Sequence, residues 1–347
     1  MSIDKTADDI RKKLKEQDKV KVKVALFGQP GAGKSSLINR IVGQRVAEVG
    51  VETDKTVDAA SYEHNGLELV DLPGYGTKGF PKEDFFARFH IKQFDLFLCV
   101  SSGKLHQADT EFFQALIDAE KVCLFVVNKH DELWEEGVPI KTLEKRKRAD
   151  ISKHVQRDVD VLFTSCRQGT GLAELMEAIK KNLDGAKRER WTRSAKAYSQ
   201  EFLDEKRKAC EKYVAYAAAA AAANGINPIP GADVAVDLSI LVKLFAEIRR
   251  DFGLDSDFLE SAKHSSIPAI GRLASNVVQY AAKEGLIMLV KRYAGRQLAK
   301  SLTKYVPLVG QAIAAGIGYA MTSHAGNAYL DDCHKLAKER LEGRLGI

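Results

Sequence analysis

The sequence predicts an α/β half, built as a mostly parallel, doubly wound sheet, followed by an all-helical half. Three observations carry that expectation. A glycine-rich turn, Gly28-Gln29-Pro30-Gly31-Ala32-Gly33-Lys34-Ser35, joins the apolar run Val22 to Phe27 to a helical pattern from Ser36 to Val42. Short apolar runs then alternate with helical segments as far as about residue 184, the pattern of parallel strands buried on both faces and crossed over by helices. Beyond Gly185 the strand signal stops.

The 347 residues are enough for two domains with cores of their own. We divide them into an N-terminal helix over 1–20 that docks on the helical part, an α/β domain over 21–184 and a helical domain over 185–347. Hydrophobic content of 45% and charged content of 29% are those of an ordinary soluble protein, and a net charge of +6 permits an acidic partner without demanding one. The five cysteines, Cys99, Cys123, Cys166, Cys210 and Cys333, are scattered and sit mostly in apolar runs. That excludes a disulfide framework or a zinc site and fits a reducing compartment. The opening residues lack the apolar core of a secretory signal and any lipidation site, so a cytoplasmic protein is expected.

Taken in order, Ile3, Ala7, Ile10 and Leu14 put one apolar stripe on a helix over 4–18. Strands are predicted over 22–27, 57–63, 67–70, 94–100, 122–127 and 161–164, with helices over 34–43, 82–92, 109–119, 141–155 and 171–183. Asn65-Gly66 between the second and third strands is a hairpin signal, which makes that pair antiparallel at a sheet edge. From 187 a basic helix runs into the alanines 217–223 and stops at Asn224-Gly225. After the turn Asn227-Pro228-Ile229-Pro230-Gly231, helices are predicted over 232–252, 256–263, 268–283, 286–303, 309–322 and 324–343. Residues 213–232 and 305–330 carry no Asp, Glu, Lys or Arg. Each is as long as the roughly 20 residues that span a bilayer, but both are interrupted by Asn, Pro or other polar residues, which favours a soluble core over membrane insertion.

Strand, glycine-rich turn and helix in that order make a phosphate cradle. Backbone N–H groups from Gly28 to Ser36 turn inward at the positive end of a helix, Lys34 reaches the β- and γ-phosphates, and the Ser35 hydroxyl meets Mg²⁺. Downstream, Leu69-Val70-Asp71-Leu72-Pro73-Gly74 ends an apolar run in Asp-x-x-Gly. Asp71 is placed to hold Mg²⁺, and the Gly74 N–H to meet the γ-phosphate. Asn128-Lys129-His130-Asp131 follows another strand. The Asp131 carboxylate matches the ring N–H and exocyclic amine of guanine and finds no such donor pair on adenine, so the expected ligands are GTP and GDP. Asn128 braces the loop, the Lys129 stem covers the base, and Ser165 and Cys166 fit a loop whose N–H groups face the guanine carbonyl oxygen. Thr53 and Thr56 are alternative switch I ligands to Mg²⁺, and sequence alone does not separate them. Where efficient GTPases place a water-orienting glutamine after the glycine, this chain has Tyr75, so slow turnover is expected, with the missing element supplied by another residue, by the nucleotide or across a dimer.

These residues resemble the immunity-related, interferon-inducible GTPases and their bacterial relatives. The likeness runs through Gly31 to Asn39, Asp71-Leu72-Pro73-Gly74-Tyr75-Gly76 with Phe80-Pro81, and Phe94-Asp95-Leu96-Phe97. It continues through Ile229 to Leu238 and Phe252-Gly253-Leu254. The resemblance implies a Ras-like G domain, a helical domain made of the N-terminal segment and the C-terminal half, a GTP-dependent homodimer through nucleotide faces, and peripheral membrane contact. It also implies that Glu52 is an acid aiding hydrolysis across that dimer. Asn128 departs from the family, which often has Thr there, and Val51-Glu52-Thr53 matches its switch I loosely. Two other readings stand beside this one. The basic stretches 141–148 and 187–208 suggest a ribosome- or RNA-associated GTPase, although interleaved aromatics are nearly lacking and no RNA-binding module is present. Tyr75 suggests a GTP-holding scaffold without useful hydrolysis. No DNA partner is expected.

Overall fold

The computed structural model describes residues 19–48, 59–77, 79–224, 233–282 and 310–343, with positions 16 and 285. All but position 16 of the helix predicted over 4–18 lies outside the described residues, as do Glu52, Thr53, Thr56, the turn at 227–231 and the helix expected over 286–303. The chain divides into two units, one spanning Val20–Tyr198 and the other taking up the chain from Ser199.

In the first unit six strands, β1 (Val22–Phe27), β2 (Ala60–His64), β3 (Leu67–Asp71), β4 (Leu96–Ser101), β5 (Cys123–Val127) and β6 (Val161–Phe163), form one sheet in the order β2-β3-β1-β4-β5-β6. All neighbours run parallel except β2 and β3. Asn65 and Gly66 turn that hairpin at φ 46 and 79, the doubly positive geometry of a tight two-residue loop. Every residue of β4 is buried, as a central parallel strand requires.

The helices of this unit are α1 (Lys34–Val42), α2 (Lys82–Arg88), α3 (Gln107–Asp118), α4 (Ile140–Val155), α5 (Leu172–Lys181) and α6 (Gly185–Ser194). The segment predicted as helix to 92 stops at Arg88, because His90 takes up left-handed backbone at φ 47. Phe27, Phe85, Phe112, Phe113 and Phe125 gather in a buried aromatic core. Strand β1 lies between β3 and β4, so the sheet reverses its winding there and opens a crevice at the carboxyl ends of β1 and β3.

The single helix expected from 187 into the alanine run is two helices. Helix α6 buries Trp191, whose indole N–H donates to the Met176 carbonyl at 3.2 Å, and Ser194 donates to the Asn65 carbonyl at 2.6 Å. The break follows at Ala195 to Ser199, where the Lys196 N–H and the Tyr198 hydroxyl donate instead to the Ile41 and Arg40 carbonyls at 2.9 and 2.7 Å. Those tertiary bonds outweigh local helix propensity.

The second unit is helical among its described residues: α7 (Gln200–Asn224), α8 (Asp233–Asp251), α9 (Ser256–Lys263), α10 (Pro268–Ala281) and α11 (Gly310–Leu341). Asp255 caps α9 by accepting the Phe258 N–H at 2.8 Å. Phe245 of α8 and Tyr329 of α11 stack with centroids 4.0 Å apart. Helix α11 is continuous where two segments were predicted. A Cβ at Gly326 would come within 2.7 Å of Val214 and 3.0 Å of Leu244, so this glycine serves a close helix crossing rather than a break. Ala217, Ala218, Ala220 and Ala221 are buried against neighbours. Among the described residues no helix is long and apolar enough to cross a membrane.

Candidate functional site

The carboxyl end of β1 runs straight into the glycine-rich turn. Gly28 has φ +134, and a Cβ there would lie 1.9 Å from the Val100 carbonyl oxygen of β4, so only glycine fits where the chain leaves the sheet. The turn closes with the Ala32 N–H on the Gln29 carbonyl at 3.1 Å, and α1 begins at Lys34 behind a Gly33 cap. Its first turn has no side-chain cap and no acidic residue, so its N–H groups face the loop without a competing anion of their own. The Lys34 ammonium lies along the loop, donating to the Gly28 and Gln29 carbonyls at 2.8 and 3.4 Å. Pro30 and Gly31 are exposed at the rim, Ala32 is buried, and Ser35 and Ser36 are half-buried on α1.

Asp71 ends β3 opposite this loop, its Oδ1 3.7 Å from the Lys34 ammonium. That oxygen is buried and has no hydrogen-bond partner among the described residues. Burial pushes the Asp71 carboxyl above the usual carboxylate range, and Lys34 draws it partly back. Gly74 is exposed. Tyr75 turns the other way. Its ring stacks on Phe112 of α3 at 4.6 Å and meets Phe85 edge-on at 5.1 Å, and only 9% of the residue is exposed. The Lys82 ammonium stands 6.0 Å from the same ring and pairs with Glu111.

The second lobe of the site is tied to the loop through Asn128. Its Nδ2 donates to the Ala32 carbonyl at 2.9 Å and its Oδ1 accepts from the Thr164 hydroxyl at 3.2 Å. A Cβ on Gly33 would meet that amide nitrogen at 2.3 Å, so loop and amide are in direct van der Waals contact. Lys129 takes up left-handed backbone at φ 57 and starts a short 3₁₀ turn over His130–Glu132 that carries Asp131. A hydrogen bond from the Ser165 hydroxyl holds the Asp131 carboxyl below its ordinary range, and Arg167 pairs with it. Cys166 lies next along; burial raises its thiol to about 11, against the pull of Arg40 and Asn128.

The structure thus brings Gly28, Gln29, Pro30, Gly31, Ala32, Gly33, Lys34, Ser35, Ser36, Asp71, Gly74, Asn128, Lys129, Asp131, Ser165 and Cys166 to the carboxyl edge of one sheet. Three other residues, Asp109, Arg40 and Tyr198, are tied to this set without any motif to announce them. The Gln29 amide donates to Asp109 of α3 at 3.1 Å. Burial pushes that carboxyl upward, and the hydrogen bond from Gln29, His106 and Lys34 draw it down. The Arg40 guanidinium donates to the Cys166 carbonyl at 2.7 Å, and Tyr198 holds the Arg40 carbonyl.

A model of the interferon-inducible GTPase (IIGP) family matches residues 2–270. The interferon-inducible GTPase 5 of Bos taurus is 25% identical over 373 residues, covering 98% of this chain and 80% of its own. The interferon-gamma-inducible GTPase 10 of Mus musculus is 24% identical over 365 residues, covering 99% and 86%. Among solved structures, Toc33 from Arabidopsis thaliana in complex with GDP and Mg²⁺ aligns at 18% identity with a TM-score of 0.34, over 46% of this chain and 76% of that one.

Proposed function

The chain belongs to the interferon-inducible GTPase family, and from that membership we propose a molecular switch that hydrolyses GTP slowly by itself and faster when two G units meet through their nucleotide faces. The observation that supports this best is the uncapped start of α1, with the Lys34 ammonium laid along the loop beside an Asp71 oxygen that has no hydrogen-bond partner among the described residues. Loop and helix N–H groups take the phosphates, Lys34 neutralises the β- and γ-oxygens, and the Gly74 N–H senses the γ-phosphate. Asp131 selects guanine, Asn128 braces the pocket, Lys129 covers the base and the Ser165–Cys166 loop faces its carbonyl oxygen. The buried oxygen of Asp71 and the Ser35 hydroxyl form the hard oxygen set that Mg²⁺ takes, with Thr53 or Thr56 as a further ligand. When bound, the ion would supply neutralisation of the negative charge on the phosphates.

In hydrolysis, water attacks the γ-phosphorus, the bond to the β–γ bridging oxygen breaks, and GDP and phosphate leave. Burial of the Tyr75 ring supports the slow isolated rate, because nothing at that position reaches toward the attacking water. Glu52 of a second copy is our candidate for the missing element, on family resemblance. Light scattering in GDP and in a non-hydrolysable GTP analogue tests the reading, with Lys34→Ala as control. Self-association confined to the analogue and absent from the control is expected; equal mass in both nucleotides overturns the dimer.

A further inference from the structure

Between the two lobes of the site, one side chain makes a connection that none of the nucleotide motifs requires. Arg40 sits near the carboxyl end of α1, the helix whose other end opens at the phosphate loop. Its Nε donates to the Cys166 carbonyl at 2.7 Å across 126 residues of sequence. The Arg40 carbonyl in turn accepts the Tyr198 hydroxyl at 2.7 Å, and the Lys196 N–H takes the next carbonyl, Ile41, at 2.9 Å. Tyr198 is half-buried, and the loss of solvent around its phenol pushes it well above the usual range and keeps it a neutral donor. The loop that Arg40 reaches has its own internal bonds, Ser165 N–H to Thr170, Gly169 N–H to Ser165 and Gln168 N–H to the Ser165 hydroxyl, and side-chain links from Ser165 and Arg167 to Asp131.

We infer that Arg40 is a positioning residue for guanine recognition, orienting the Ser165–Cys166–Arg167 backbone toward the base while Tyr198 holds it in place. This rests on the guanine-nucleotide reading given above. The physical reason is the rigidity of the peptide unit. Cys166 C=O and Arg167 N–H belong to one planar trans peptide and point in opposite directions, so a carbonyl drawn toward α1 sends that N–H away from α1. The Cys166 N–H, one residue back, shares its plane with the Ser165 carbonyl that the Gly169 N–H holds at 2.8 Å, so Arg40 fixes the second of two consecutive peptide planes. A charge-assisted bond to a carbonyl is strong enough to hold such an orientation, and the guanidinium gives it direction. Without it the loop keeps its internal bonds and its side-chain links to Asp131 but loses the bond that holds the Cys166–Arg167 peptide plane.

The test compares two ligands that share the phosphates, ribose and 2-amino group, of which only one carries the oxygen the loop would bind. Affinities for GDP and for the 2-aminopurine riboside diphosphate, which lacks the 6-oxygen and with it the N1 proton that Asp131 reads, are measured on wild type, Arg40→Ala, Arg40→Lys and Tyr198→Phe, each variant being compared with wild type on the same ligand. Losing one charge-assisted bond predicts about a tenfold weaker GDP affinity in Arg40→Ala. The affinity for the analogue should stay unchanged. Arg40→Lys should recover part of the loss, and Tyr198→Phe should show a smaller loss with the same ligand dependence. Equal weakening of both ligands, or no weakening of GDP, overturns the inference. Thermal melts of the apo variants identify misfolding, and if Arg40→Ala fails to fold, Tyr198→Phe decides by the same ligand pair. Wild type that binds no GDP would instead sink the nucleotide reading itself.

Discussion

His334 on α11 shows how a single side chain couples folding to pH. Burial lowers its basicity, and the hydrogen bond to Asp204 at 3.0 Å only partly restores it against the nearby charges of Arg207 and Lys338. The native state therefore binds this proton less readily than the unfolded chain. Its contribution to stability is present above the ordinary histidine range, about pH 6.5, and is lost as pH falls through that value toward the lowered native one. Denaturant melts of the apo protein across that interval should show stability falling on acidification, and His334→Gln should flatten the slope. At Tyr75 the expectation concerns rate. Because the ring is packed into the aromatic core, Tyr75→Phe should leave single-turnover hydrolysis unchanged. Tyr75→Gln should lower the melting temperature without accelerating the reaction. A faster Gln variant would show that this position does face the water.

At the scale of elements, the phosphate loop is fixed by what it runs against. Gly28→Ala would drive a methyl onto the Val100 carbonyl, and that backbone cannot move without disturbing the centre of the sheet. GDP binding, followed by isothermal titration, should be lost while the second unit keeps its helical circular dichroism signal. The strand–turn–helix order, the Asp-x-x-Gly and the Asn-Lys-His-Asp stretch were legible because each is a contiguous run whose residues serve one local geometry. The contacts between runs were not. Gln29 meets Asp109 across 80 residues, and Tyr198 meets Arg40 across 158, with no periodicity linking either pair. The same blindness joined α6 to α7, since the bonds that interrupt the helix at 195–199 come from a distant helix end. The reverse error at α11 was a boundary set between 322 and 324, where the helix runs on without a break.

For the whole molecule, the first prediction is kinetic. If hydrolysis needs a second G unit, turnover per molecule should rise with protein concentration and level off, and a flat profile would leave the dimer without a catalytic role. Much of the basic charge read in the sequence as a surface for RNA is spent within the chain: Lys147 on the Gly103 carbonyl, Arg148 on that of Val161, Arg146 on Glu135 and Arg207 on Asp331. A solvated, internally paired helix face accounts for those stretches. A last consequence follows from the way α1 is held at both ends. At about 1.5 Å of rise per residue it is a stiff rod little more than a nanometre long. One tip is the phosphate loop, and the other is clasped by the Lys196 amide and the Tyr198 hydroxyl, on the stretch of backbone that leads out of the first unit. A rod this short has no slack, so quieting one tip quiets the other. The Lys196 amide thus becomes a gauge of nucleotide occupancy read from the far end: its hydrogen exchange should slow when GDP is added, and should not respond in Lys34→Ala.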